Sequence, residues 1–214
     1  MAPNESRFAR MSRRAAITGA ALATMALAAC GGGSKGAAEG DMAMGAPEGA
    51  KVTVVEYASV TCPHCALWQT NTWPAFKAKY VDTNKVRYVF RELPTPPIDA
   101  ATAGFLIARC AGEDKYFDVV HELLASRQQL VSDPRATLFR VGNGAGLNNQ
   151  QIEACIKDPA NLKASEERTN AAVKAGVTGT PAFFVNGVQI VSPGEEGATM
   201  ADLSKAIDAE LAKG

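Results

Sequence analysis

Residues 52–65 read Val-Thr-Val-Val-Glu-Tyr-Ala-Ser-Val-Thr-Cys-Pro-His-Cys. The first seven form a β-branched, apolar run of the kind that makes a strand buried on both faces. Glu56 is the exception inside it. Two cysteines, Cys62 and Cys65, follow at a spacing of three, and Pro63 suits the first turn of a helix, where a missing N–H costs nothing. Leu67, Trp68, Trp73 and Phe76 continue a helical period towards Tyr80, with Pro74 placed to kink or interrupt it. Val86 to Phe90 reads as a second strand. The unit is strand, helix, strand.

Outward from this unit, Pro94 to Pro97 is a break. From about Asp99 to Val177 the pattern is helical, with no convincing strand. Asp114 reads as the cap of a helix carrying Phe117, Val120, Leu123 and Leu124. Further helices start at Asp133-Pro134, Asn148-Asn149 and Pro159. Strand signals return at Ala182–Val185 and Val188–Val191, separated by Asn186-Gly187, the strongest short hairpin signal. Thr199 to Ala212 closes the chain as an amphipathic helix with Leu203, Ile207 and Leu211 on one face. The order is βαβ, helical insertion, ββα, an α/β architecture. The expected segments are 51–98 and 178–214 for the αβ domain and 99–177 for the insertion.

At the start of a helix, free N–H groups and the dipole favour negative charge. A protonated His64 adds to this. Both effects lower the pKa of Cys62, and the thiolate is the reactive form. Cys62 is expected to be exposed, and Cys65, a turn inward, to be the buried resolving thiol. The alternative is a short structural disulfide. Glu56 in a buried run costs several kcal/mol unless paired or protonated, so it is a candidate to exchange protons with Cys65, or else a strand position that reaches solvent. Gly179-Thr180-Pro181 precedes a strand, where a residue without an N–H belongs. By itself this fits an ordinary strand-initiating trans proline. The resemblance of this arrangement to thioredoxin-like folds implies instead a cis Thr180–Pro181 bond lying against the cysteine pair.

The chain has five cysteines. Cys62 and Cys65 pair by spacing, Cys30 falls in the leader, and Cys110 and Cys155 are left for each other, as a structural disulfide or, alternatively, a redox-active or regulatory second pair. A four-cysteine zinc site usually needs two close pairs, and only one is present. No metal and no other cofactor is expected. His121 reads as a packed or solvated helix residue rather than a catalyst. With 22 basic and 22 acidic residues, the chain lacks the basic surface that a nucleic-acid partner requires. The hydrophobic share of 47% is that of an ordinary globular protein.

Charge is uneven: Arg7, Arg10, Arg13 and Arg14 lead into an apolar stretch, Ala15 to Ala29. This has the form of a secretory signal, and it is shorter than the roughly 20 residues of a membrane-spanning helix. A buried Ala-rich helix is the alternative. The stretch ends Leu27-Ala28-Ala29-Cys30, which resembles a bacterial lipobox and implies a lipidated Cys30 after a signal at 1–30. A soluble secreted protein cut nearby is the rival. Ser12-Arg13-Arg14 resembles the start of a twin-arginine signal, though Ala15 to Ile17 fit it poorly. Gly31 to Ala50, poor in bulky apolar residues, reads as a flexible tether.

Taken together, the Cys-Pro-His-Cys motif, the acid six residues before it, the helical block and Gly176-Val-Thr-Gly-Thr-Pro-Ala-Phe-Phe-Val-Asn-Gly187 resemble DsbA-like thiol:disulfide oxidoreductases over roughly Lys51 to Lys213. The resemblance implies a thioredoxin-like fold with an inserted helical domain. It implies Cys62 as nucleophile, Cys65 as resolving thiol and Glu56 as buried acid; Pro63 and His64, between the cysteines, are counted with the catalytic motif. Thr180 and Pro181 would contact substrate backbone. A basic partner for the acid is frequent in the family, and Arg87 is the nearest candidate. The implied activity is a dithiol oxidase acting on exported cysteine-containing proteins, with a quinone-linked membrane protein reoxidising it. The chain is expected to be a monomer in the periplasm, and its lipobox anchor at Cys30 and the pair Cys110 and Cys155 depart from the best-known members. A reductase or isomerase on the same fold is the first rival, and a Cu(I)-binding or chaperone-like lipoprotein the second. Met42 and Met44, assigned to the tether, give copper no support.

Overall fold

The computed structural model describes residue 38, residues 40–193 and residues 197–213. The leader, Cys30 and most of 31–40 lie outside the described residues. A five-stranded sheet in the order β1-β3-β2-β4-β5 forms the centre. Strands β2 (Thr53–Ala58) and β3 (Arg87–Glu92) run parallel and are joined through helices α1 (Pro63–Asn71) and α2 (Trp73–Phe76) and a π-helical segment, Lys77–Val81. Pro74 explains the interruption. The helix stops at Thr72 and restarts with Pro74 in its first turn, where no N–H is missed.

Strands β4 (Ala182–Val185) and β5 (Val188–Ile190) extend the sheet antiparallel. Asn186 and Gly187 both take positive φ, 48° and 81°, the backbone that a two-residue hairpin matching strand twist demands. The last helix, α9 (Met200–Ala212), is capped by Thr199, whose hydroxyl accepts from the Asp202 N–H. It buries Leu203 and Ile207.

Between β3 and β4 come six helices: α3 (Ile98–Cys110), α4 (Glu113–Ala125), α5 (Arg127–Ser132), α6 (Pro134–Gly144), α7 (Asn149–Lys157) and α8 (Pro159–Lys174). Asp133, Asn148 and Asp158 cap α6, α7 and α8 through their side chains. Asp114 does not cap α4. Gly112 occupies that position with φ 95°, and Asp114 lies in the first turn, where its charge faces the positive helix end.

Period-2 alternation divides the sheet. Val54, Ala58, Tyr88, Phe90, Phe183 and Val185 face the larger core, shared with α1, α3, α4 and α9. Val55, Tyr57, Val89 and Ala182 face a smaller one under α8. The helical block is tied to β3 by Glu92, which is almost completely buried. It accepts from Arg109 Nε of α3 at 2.6 Å, from Arg168 Nε of α8 at 2.9 Å and from the Tyr116 hydroxyl of α4 at 3.0 Å.

The expected tether does not reach Ala50. Met42–Gly45 is strand β1, antiparallel to β3, with Met42 buried in the core. Asp41 takes two hydrogen bonds from the Arg91 guanidinium. Composition hid this because backbone pairing requires no bulky side chain. Gly45 is required where it stands: its φ is 82°, and an added Cβ would come within 2.5 Å of the Val86 carbonyl oxygen.

Candidate active site

Cys62 is the N-cap of α1. Its backbone is extended (φ −75°, ψ 125°), and its sulfur accepts from the Cys65 N–H at 3.4 Å. Pro63 occupies the first helical position, as its fixed φ favours. The strand-to-helix turn is braced from below. The Ser59 and Thr61 hydroxyls are 3.0 Å apart, Thr61 donates to the Thr95 carbonyl at 2.7 Å, and Arg127 of α5 donates through Nε to the Thr61 carbonyl at 2.6 Å.

Both site cysteines carry free thiols, and their surroundings push them apart. Cys62 is held down to about 5, first by a hydrogen bond from the Cys65 thiol. Burial opposes this, and the Thr180 side chain and the N–H groups of Cys65 and His64 lower it further. Cys65 is pushed well above the ordinary thiol value, first by burial and then by its interactions with Cys62 and Glu56. The N–H groups of the helix start contribute to the lowering, behind the Cys65 thiol and the Thr180 side chain. Exposure differs from expectation. Cys62 is only 5% exposed, because the carbonyl of Thr180 sits on its sulfur at 3.2 Å. The rim is open: Pro63 is exposed and His64 half-buried.

The Thr180–Pro181 peptide is cis and lies immediately before β4. Gly197 comes so close that a Cβ there would approach Pro181 Cγ to 2.8 Å. Trp68 of α1 donates to the neighbouring Ala198 carbonyl at 3.1 Å, fastening this segment to the cysteine helix.

Glu56, 2% exposed, lies below the pair on β2. Burial raises its pKa to about 8. A hydrogen bond from Tyr88 pulls it back, and the charge of Cys62 adds to the rise. Arg87 is not its partner. Successive strand residues point to opposite faces; Tyr88 and Phe90 of β3 line the core that Glu56 enters, and Arg87 alternates away from it. The Tyr88 hydroxyl donates to Glu56 Oε2 at 2.5 Å.

Away from this cluster, Cys110 and Cys155 form a disulfide between the end of α3 and α7. His121 of α4 packs with its ring centroid 5.0 Å from that of Trp73, and burial lowers its pKa to about 4. Sequence reasoning missed Tyr88, Arg127 and the Ser59–Thr61–Thr95 brace. Tyr88 had a usable signal, being two residues from the register partner of Glu56. Arg127 had none, because its contact spans 66 residues. Among the described residues no group of three or more His, Cys, Asp or Glu side chains is placed to hold a metal ion.

A family model described as thioredoxin matches residues 37–209, and the chain belongs to that family. Within it the chain is a DsbA-like member. The crystal structure of alpha-DsbA1 from Wolbachia pipientis superposes with a TM-score of 0.71 at 25% identity, covering 83% of this chain and 94% of that one. BdbD from Bacillus subtilis gives 0.72 at 18% identity, covering 84% and 97%, a likeness of fold. A Rickettsia bellii protein carrying the name of a protein-disulfide oxidoreductase is 35% identical over 174 residues, which are 79% of this chain. The match spans 64% of that relative's own length.

Proposed function

We propose that this protein is a thiol:disulfide oxidoreductase of the cell envelope and that it runs as a dithiol oxidase on exported cysteine-containing proteins. The observation that carries the reading is the opposed pair of thiols, Cys62 at about 5 and Cys65 well above the ordinary value. In the oxidised protein, a substrate thiolate attacks Cys62 Sγ. The Cys62–Cys65 bond breaks, its electron pair passes to Cys65 Sγ, and that sulfur takes a proton from Glu56. A second substrate thiolate attacks the substrate sulfur of the mixed disulfide, and Cys62 leaves as a thiolate. The substrate is oxidised by two electrons and the cysteine pair is reduced.

Direction follows from the leaving group. At neutral pH a thiol with a pKa of about 5 is a thiolate by roughly a hundred to one. Stabilising it favours the reduced protein, so the disulfide is the stronger oxidant. Pro63 and His64 shape the turn. Thr180 and Pro181 offer backbone beside Cys62 for an extended substrate segment. The family resemblance supports reoxidation by a quinone-linked membrane protein.

The same reading locates the folded domain in the periplasm, held to a membrane by lipid on Cys30. The arginine-led apolar leader and its Leu-Ala-Ala-Cys ending support it. Among the described residues no helix is long and apolar enough to cross a membrane.

The test is the redox potential of the Cys62–Cys65 pair against glutathione, with oxidation of a dithiol peptide by the native protein and by Cys62→Ser. An oxidising potential and an inactive variant are expected. A potential as reducing as that of thioredoxin (about −270 mV) would turn the reading towards a reductase.

A further inference from the structure

Glu56 and Tyr88 stand on adjacent parallel strands and share one buried face. Tyr88 is 1% exposed. Its ring is held by Trp73 at 4.8 Å, Phe76 at 6.0 Å and Phe117 at 6.1 Å between centroids, so its hydroxyl cannot leave Glu56 Oε2 without repacking the core. A buried carboxyl needs a partner. A cation would fix it as a carboxylate. A phenol donates a hydrogen bond without adding charge, so the carboxyl keeps the freedom to gain or lose its proton.

The titratable groups facing the pair are Cys62 and Cys65 from α1 and Tyr116 from α4, with His121 of α4 behind Phe117 and Trp73. Burial keeps both phenols protonated well above the ordinary tyrosine value, and His121 is neutral above about pH 4. Near neutral pH, Glu56 is therefore the group of this set left to change charge once Cys62 has ionised.

We propose that Tyr88 is a positioning residue for disulfide exchange, acting through Glu56. Its hydroxyl holds Oε2 of the carboxyl and leaves Oε1 to trade a proton with Cys65. The proposal rests on the reading of Glu56 as the proton partner of Cys65. When a thiolate attacks Cys62 Sγ, the disulfide electron pair goes to Cys65 Sγ and the Glu56 proton follows it. The new carboxylate is stabilised by the Tyr88 hydroxyl until solvent returns a proton.

The test is the reaction of the oxidised protein with reduced glutathione, followed by stopped flow from about pH 6 to 10, with rates normalised to glutathione thiolate. In the native protein the rate falls as Glu56 deprotonates, with a break above the ordinary carboxylate range, since burial raises Glu56 in either redox state while the Cys62 charge that adds to the rise is absent from the disulfide. Tyr88→Phe keeps the ring but loses the donor that favours the carboxylate. Its break moves up by about one pH unit, a tenfold fall in the acidity of Glu56. Glu56→Gln removes the break. A break unmoved in Tyr88→Phe but absent in Glu56→Gln overturns the role of Tyr88 and leaves that of Glu56 standing. A break that persists in Glu56→Gln overturns both. Infrared titration of the native protein with ring-labelled tyrosine gives a check that needs no variant. A phenol band must shift with the midpoint of the Glu56 carboxyl band, and a phenol band indifferent to that titration overturns the proposal.

Discussion

The sulfur of Cys62 rests 3.2 Å from the carbonyl oxygen of Thr180, a residue 118 positions further along the chain. The contact closes the site. The Cys62 pKa is lowered first by the Cys65 thiol and then, against burial, by the Thr180 side chain and by the N–H groups at the helix start. Thr180→Val keeps the size of the side chain and loses its hydroxyl. The Cys62 pKa should rise by up to about one unit, making the disulfide less oxidising by ~30 mV. The ultraviolet absorbance of the thiolate, titrated against pH in both proteins, measures the shift.

Glu56 binds a proton more tightly in the folded protein, at about 8 against the ordinary carboxyl value of 4.5. Between those pH values the folded state holds more protons than the unfolded state, so stability falls as pH rises through that window. Glu56→Gln cannot ionise. Its unfolding free energy in urea should therefore gain on that of the native protein from about pH 4.5 to 8 and level off above. Curves that stay parallel over this range contradict the buried, raised carboxyl.

Glu92 is the common partner of Arg109, Arg168 and Tyr116. Removing it strands two largely buried guanidinium groups. Breaking such an arrangement from one side costs about 3–5 kcal/mol, and the partial exposure of both arginines, 21% each, favours the lower end. Glu92→Ala should lose about 3 kcal/mol in urea unfolding, with the Cys62 pKa unchanged.

The Cys110–Cys155 disulfide closes a loop with a sequence separation of 45, worth about 4 kcal/mol in the chain-entropy model. We propose that its role is structural. The double variant Cys110→Ala/Cys155→Ala should lower the denaturant midpoint while retaining peptide oxidation by Cys62. Loss of oxidation in a folded double variant would instead assign the second pair a redox role.

Most of the fold was legible because local rules and tertiary packing agree. The β-branched run of β2, the Asn186-Gly187 turn, and the helix starts at Asp133-Pro134, Asn148-Asn149 and Pro159 each fall where the sequence puts them. β1 was not legible. Met42–Gly45 is short, and β3 supplies its hydrogen bonds from more than forty residues away. In the site, Cys62 lies beside Cys65 and the Thr180 carbonyl, and Glu56 acts electrostatically on Cys65. The spacing of the cysteines was legible, while the approach of Thr180 rested on the family resemblance. The partner of Glu56 was misread by one residue, and in a strand one residue reverses the face. The depth of Cys62 was also misread, since helix position says nothing of what a distant loop lays over it.

The most direct test is the pH dependence of iodoacetamide alkylation of Cys62 in the reduced protein. A midpoint near 5, with Cys65 unreactive until well above 9, is the expected result. A single midpoint near 9 for Cys62, the value of an unperturbed thiol, would contradict the account.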